Sequence, residues 1–183
     1  MLVALSDTHG RNDTRLTDHL RETVAAADCV LHAGDFTTAA VLDTFEELTE
    51  RFVAVRGNSD DAAVRARLPD VGTVETLGRR FLVVHGHEHG RTALSLLARQ
   101  EGADAVVLGH THVPGTERVG GVAVINPGSH ADPRGSRPAY ATLEPGDGEL
   151  RGRLHTPEGE VFAAFRVQGP ERKQAVEGGP QFG

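Results

Sequence analysis

Leu2-Val3-Ala4-Leu5-Ser6-Asp7-Thr8-His9-Gly10 opens the chain with a short apolar run that breaks abruptly into polar residues and glycine. Four consecutive apolar residues followed by such a break describe a buried strand and its exit loop. A carboxylate and an imidazole two residues apart at that exit can both turn toward one point above the strand's carboxyl end. Open α/β sheets keep their ligands there. The same unit recurs downstream. Asn12 to Ala26 carries Leu16, Leu20 and Val24 at fourfold spacing, with Asn12, Asp13 or Thr14 available as the cap, and predicts a helix. Cys29 to Ala33 predicts a second strand ending at Gly34-Asp35. Thr38 to Arg51 predicts a helix through Val41, Leu42, Phe45 and Leu48, and Phe52 to Val55 a third strand ending at Gly57-Asn58-Ser59-Asp60. Strand, helix, strand, helix, strand at these lengths implies right-handed crossovers and a parallel sheet.

The pattern changes after Pro69. Thr73 to Leu77, a Gly78-Arg79 turn and Phe81 to Val84 predict a hairpin whose second arm ends at His85-Gly86-His87-Glu88-His89-Gly90. Thr92 to Gln100 predicts a helix stopped by Gly102, and Ala105 to Leu108 a buried strand ending at Gly109-His110-Thr111-His112. The remainder is β-rich: Thr116 to Val119, Val122 to Ile125, Ala139 to Leu143, Glu149 to Leu154 and Val161 to Val167. Residues 1–167 therefore read as one domain, and residues 168–183, rich in Gly, Pro, Gln and charge, as a disordered tail.

Composition narrows the function. The 183 residues are long enough for a sizeable core, and a formal charge of −7 argues against a broad nucleic-acid surface. No apolar run approaches a bilayer span and no leader pattern opens the chain, so the expectation is a cytoplasmic protein with no membrane association. The one cysteine, Cys29, lies in an apolar run, which excludes an internal disulfide and makes thiolate metal ligation improbable.

Chemistry-bearing residues stand at the ends of five strands: Asp7 with His9, Asp35, Asn58, His85, and His110 with His112. Seven nitrogen and oxygen donors are too many for one ion and suit two. A pair of metals needs a carboxylate between them to offset their repulsion, and Asp35 is the natural bridge.

The ordered set Asp-x-His, Gly-Asp, Gly-Asn-x-Asp, His-Gly-His and Gly-His-x-His resembles the calcineurin-like metallophosphoesterase superfamily. Leu31-His32-Ala33-Gly34-Asp35, Val55 to Asp60, Asn126-Pro127-Gly128-Ser129 and Pro133-Arg134 resemble its compact YfcE-type phosphodiesterase branch. The resemblance runs from Met1 to about Val167. It implies an α/β fold, a four-layer α/β/β/α sandwich of two mixed sheets flanked by helices. It also implies that Asp7, His9, Asp35 and His112 hold one divalent metal and Asp35, Asn58, His85 and His110 a second. A hydroxide between the ions would be the nucleophile, and Asn58 with the metals would offset charge on the phosphoryl oxygens. Asp35, Asn58, His85 and His110 form the implied catalytic set.

Asn58, His87, Arg56 and Arg134 are the candidate substrate contacts, the arginines as a phosphate clamp. His32 is expected to orient a neighbour, His130 to border the pocket, and His19, His89 and His155 to lie on the surface. Mixed donors suit manganese first, with zinc, iron, nickel or cobalt as alternatives. The expected reaction is phosphodiester hydrolysis of a small or nucleotide-type substrate. Ser59 stands where many members carry a histidine that could protonate the leaving group, so activated diesters are the expected preference. The alternatives are a phosphomonoesterase, a nucleotide pyrophosphatase, or a protein-binding scaffold resembling the retromer sorting subunit. The sequence allows a homo-oligomer without fixing one.

Overall fold

The computed structural model describes residues 1–169. The opening run forms strand β1, Leu2–Leu5, buried along its whole length. The chain then passes through a loop before helix α1, Asp18–Ala25, which starts six residues later than its apolar spacing predicts. Thr17 is the actual cap, its side chain accepting from the Leu20 N–H, whereas Thr14 is buried and spends its carbonyl on His130. Leu16 packs against the core from the loop, so the fourfold spacing counted a residue that is not helical.

Strand β2, Cys29–His32, helix α2, Ala39–Leu48, and strand β3, Phe52–Ala54, follow as expected. Helix α3, Ala62–Arg67, was not legible: six residues with one buried side chain, Val64, carry no periodic signal. Its Asp61 cap, accepting from the Val64 N–H, was the available clue.

Strands β4, Val71–Thr76, and β5, Arg79–Val84, form the hairpin, with the turn at Leu77-Gly78 rather than Gly78-Arg79. Both turn residues have positive φ, as a two-residue hairpin turn of matching twist demands. Helix α4, Arg91–Gln100, leads to β6, Ala105–Leu108. The chain closes with β7, Gly115–Val119, β8, Val122–Asn126, β9, Tyr140–Pro145, β10, Glu149–His155, and β11, Val161–Gln168. Gln168, assigned to the tail from sequence, thus ends a strand. Residues 170–183 of the expected tail lie outside the described residues.

Two mixed sheets result. One has the order β11-β10-β9-β1-β2-β3 and the other β4-β5-β6-β8-β7. They face each other across a core of Leu2, Leu31, Phe81, Val83, Val107 and Ile125, among others. Each such side chain contributes about 1.5–3 kcal/mol on full burial. Val30, Phe45 and Val64 link the first sheet to α1, α2 and α3, and Leu82, Leu94 and Val106 link the second to α4. The four-layer α/β/β/α sandwich follows. β1, β2 and β3 run parallel in one sheet and β5, β6 and β8 in the other, so their carboxyl ends collect the exit loops.

Candidate metal centre

Asp7 and Asp35 leave adjacent parallel strands, and their loops are laced together: the Asp7 N–H donates to Gly34 O and the His9 N–H to Asp35 O, each at 2.9 Å. The second sheet reaches across to the same point. The His110 N–H donates to Asp7 Oδ2 at 3.0 Å, and His85 Nδ1 donates to Ala33 O at 2.7 Å. A carbonyl can only accept, so His85 carries its proton on Nδ1 and presents Nε2 to the centre. His112 is fixed the same way, its Nδ1 donating to Asp132 O. Imidazoles locked in this tautomer are the usual form of a metal-ligating histidine.

The free nitrogens converge on the carboxylates. Asp35 Oδ2 lies 3.3 Å from His9 Nε2 and 3.5 Å from His85 Nε2. Asp7 Oδ1 lies 3.3 Å from His112 Nε2 and 4.0 Å from His9 Nε2, and the two histidine nitrogens are 3.3 Å apart. Asn58 Oδ1 is 3.0 Å from His85 Nε2. Two three-donor groups emerge, Asp7 with His9 and His112, and Asp7 with Asp35 and His85. Asp7 is common to both, and Asp35 touches a histidine of each. His110 stands apart from these groups, its exposed ring edge-on to His85 at 5.2 Å between centroids.

The donors fit divalent cations. Asp7 Oδ1 is buried and lacks a hydrogen-bond partner among the described residues. A buried acceptor without a donor is costly unless a cation fills the space before it. Burial pushes the Asp7 carboxyl above its ordinary range, although the His85 charge works against this. Burial acts the same way on Asp35, but hydrogen bonding and charge from His85, with the Ser59 N–H, outweigh it and hold Asp35 well below the ordinary range. His9 and His110 are both pushed down, chiefly by burial.

The backbone is unusual here. Asp7, His9, Asp35, His110 and His112 all have φ between 47° and 71°, a left-handed conformation that non-glycine residues rarely adopt. Gly57 is required as glycine because a Cβ there would collide with Asp35 Oδ1 and lie 2.6 Å from the Asp35 nitrogen.

Sequence reasoning missed the residue that holds these loops. Asp60 is buried and accepts from the backbone N–H of Asp35 (3.2 Å), Thr37 (2.8 Å) and Gly57 (2.7 Å). Its signal was present in the Gly-Asn-x-Asp spacing. Asp132 was missed as well, and its backbone role on His112 leaves no mark in sequence.

Arg56 is paired in a fork with Asp70, one arm at 2.6 Å, and its remaining arm approaches Arg65 O. Its fork lies on that carboxylate at the surface. Arg134 does border the centre, with Nη2 3.3 Å from His9 Nε2 and Nε donating to Asp132. The His87 ring lies 5.3 Å from that of His85 and 6.2 Å from that of His110. His32 orients a neighbour as expected: Nε2 meets Thr8 Oγ1 at 2.8 Å. His130 is buried on Thr14 O rather than set at a pocket rim. His19 is exposed, as expected, whereas His155 is half-buried. Both engage Tyr140, His19 through the phenol oxygen and His155 by stacking.

A family model described as calcineurin-like phosphoesterase superfamily domain matches residues 1–148. The chain belongs to the calcineurin-like phosphoesterase superfamily. It is 35% identical over 147 residues to a probable metallophosphoesterase, YsnB, of Bacillus subtilis, covering 78% of this chain and 82% of that one. Phosphodiesterase YfcE of Escherichia coli is 32% identical over 115 residues, 60% of this chain and 61% of that one. Among solved structures, a Vps29 single mutant from Entamoeba histolytica superposes with a TM-score of 0.73 at 24% identity, covering 92% of this chain and 98% of that one. That last likeness establishes the fold alone. The superfamily membership makes this chain a metal-dependent phosphoesterase, and no helix among the described residues is long and apolar enough to cross a membrane.

Proposed function

We propose that the protein hydrolyses phosphodiesters at a centre for two divalent metals. The observation that carries this reading is Asp35 Oδ2, set 3.3 Å from His9 Nε2 and 3.5 Å from His85 Nε2, so that one carboxylate oxygen faces a ligand of each metal. Asp7, His9, Asp35 and His112 would hold one ion and Asp35, Asn58, His85 and His110 the other. Asp7, common to both three-donor groups, stands close enough to influence both. The ions supply Lewis acidity, activating water near neutral pH and offsetting charge on the phosphoryl group.

The chain's own residues do the rest. Asp132 and Ala33 carbonyls fix the histidine tautomers, and Asp60 fixes the two loops that carry Asp35 and Asn58. Asn58 and the Arg134 fork are placed to bind phosphoryl oxygens, and His87 borders the substrate side. Ser59 beside Asn58 is a poor proton donor at neutral pH, which favours diesters whose leaving groups depart as stable anions. The similarity to phosphodiesterase YfcE supports diester over monoester chemistry. Manganese is the leading metal, since mixed oxygen and imidazole donors suit it. The free, buried thiol of Cys29 fits a reducing cytoplasm.

The test is hydrolysis of bis(4-nitrophenyl) phosphate against 4-nitrophenyl phosphate after metal reconstitution, with Asp35→Asn and His110→Ala alongside. The diester should be preferred, and each variant should lose at least about 100-fold in kcat/KM. Full activity in either variant, or none in the parent with any metal, refutes the reading.

A further inference from the structure

A second feature adjoins the metal centre and has no role in it. Thr111, flanked by His110 and His112, forms one wall of a groove of about 270 Å³ on the outer face of the second sheet. Leu108 and Val124 form its floor and belong to the apolar cluster that α4 covers. Val113 and Pro114 form the opposite lip, and Val113 is 55% exposed, one of three large apolar side chains left so open among the described residues. Thr111 is held firmly: its Oγ1 accepts from Asn126 Nδ2 at 2.9 Å and from the Val113 N–H at 3.3 Å. The loop that carries two of the proposed metal ligands is thus also the wall of an apolar groove.

We propose that this groove receives the uncharged planar ring of one ester group while the phosphoryl group sits at the metals. The inference rests on the phosphoester reading above and names the substrate class for it: diesters bearing an aryl group or a nucleobase. Size fits, since drug-sized ligands occupy about 300–1,000 Å³ and this groove has room for one ring rather than a whole substrate. Charge fits too. Glu117 lines the rim, paired with Arg91 at the start of α4, and its carboxylate disfavours a phosphate there without penalising a neutral ring. Continuity fits because Thr111, which lines the groove, stands in the loop between His110 and His112.

Gly115 offers a clean test. It lines the groove, has no positive φ, and a Cβ built on it meets nothing within 4 Å, so Gly115→Phe fills the space without backbone strain. Binding of methylphosphonate, phenylphosphonate and adenosine 5′-monophosphate to the manganese-loaded full chain would be measured by titration calorimetry. The parent should bind a ring-bearing ligand at least about tenfold more tightly than methylphosphonate. Gly115→Phe should erase that gain while leaving methylphosphonate affinity within about twofold. Val113→Asn, a surface change that removes apolar lip without filling the groove, should reduce the gain in part. A gain for phenylphosphonate identifies a simple aryl group as the occupant, and a gain confined to the nucleotide identifies the base. Either supports the groove. Equal affinity for methyl- and phenylphosphonate and for the nucleotide, or a ring gain that survives Gly115→Phe, overturns it. Failure of methylphosphonate to bind at all would instead overturn the phosphoester reading on which it rests.

Discussion

Asp60→Asn separates the scaffold of the centre from its chemistry. The carboxylate places Oδ2 on the N–H groups of Asp35 and Gly57 and Oδ1 on that of Thr37, tying the β2 exit loop to the β3 exit loop. An amide keeps the volume but has one acceptor oxygen. Its better orientation retains the Asp35 and Gly57 bonds and turns an NH2 group on the Thr37 N–H. That forfeits one charge-assisted bond, about 1.5–3 kcal/mol, and leaves a backbone donor without its partner. An opposing effect is present: burial raises the Asp60 carboxyl's pKa more than its three N–H donors lower it, so removing the charge returns part of the loss. The net expectation is a destabilisation of about 1–3 kcal/mol. Urea unfolding of metal-free protein at pH 7 should show it as a midpoint lowered by about 1 M, with the slope unchanged. Manganese affinity should fall with it, because Asp35 and Asn58 would no longer be held at their present separation. A midpoint unmoved together with parental manganese affinity would refute the claim that Asp60 holds the centre.

Gly57→Ala forces a methyl into Asp35 and should cost about 100-fold in kcat/KM, the usual effect of displacing a reacting group by about 1 Å, and steady-state kinetics with parental rates would count against the close approach. His130 supplies a pH signature. Burial lowers its pKa from 6.5 to about 4, so the unfolded chain binds this proton first as pH falls. Stability is therefore full above pH 6.5 and declines down to about pH 4, by about 3 kcal/mol for this group. His130→Gln should flatten that stretch of the stability curve of metal-free protein by about one proton's slope, leaving the share from His32, whose pKa burial also lowers.

The sandwich was legible because its inner strands are uniform apolar runs. Ala105–Leu108 needed no context, since four apolar residues, three of them buried, end at a glycine and a histidine. Five of the seven proposed ligand positions contact one another directly through side chains: Asp7, His9, Asp35, His85 and His112, with Asn58 joined through His85. The misread parts share a physical cause. Residues 12 to 17 were read as helical but are held as a loop by partners far along the chain, including Pro157 on the Thr17 hydroxyl and His130 on Thr14. The pairing of Arg56 with Asp70 was likewise hidden, because nothing local reveals that Asp70 lies opposite it. Tertiary partners, not local preference, decided each.

The left-handed backbone bears on whether this fold serves here as an enzyme or only as a surface. Asp7, His9, Asp35, His110 and His112 each pay about 1 kcal/mol or more to hold positive φ, and all five are proposed ligands. The conformation aims successive side chains of a tight loop at one point, so that residues two apart, such as Asp7 and His9, face the same centre instead of opposite sides. A protein that bound partners through its outer surface would gain nothing from that strain, nor from burying Asp7 Oδ1 without a hydrogen-bond partner. Cations in the centre would offset both costs. Strain at three exit loops and an orphaned carboxylate in one of them therefore point to metal binding as the state for which this backbone is built, and they do so independently of family resemblance.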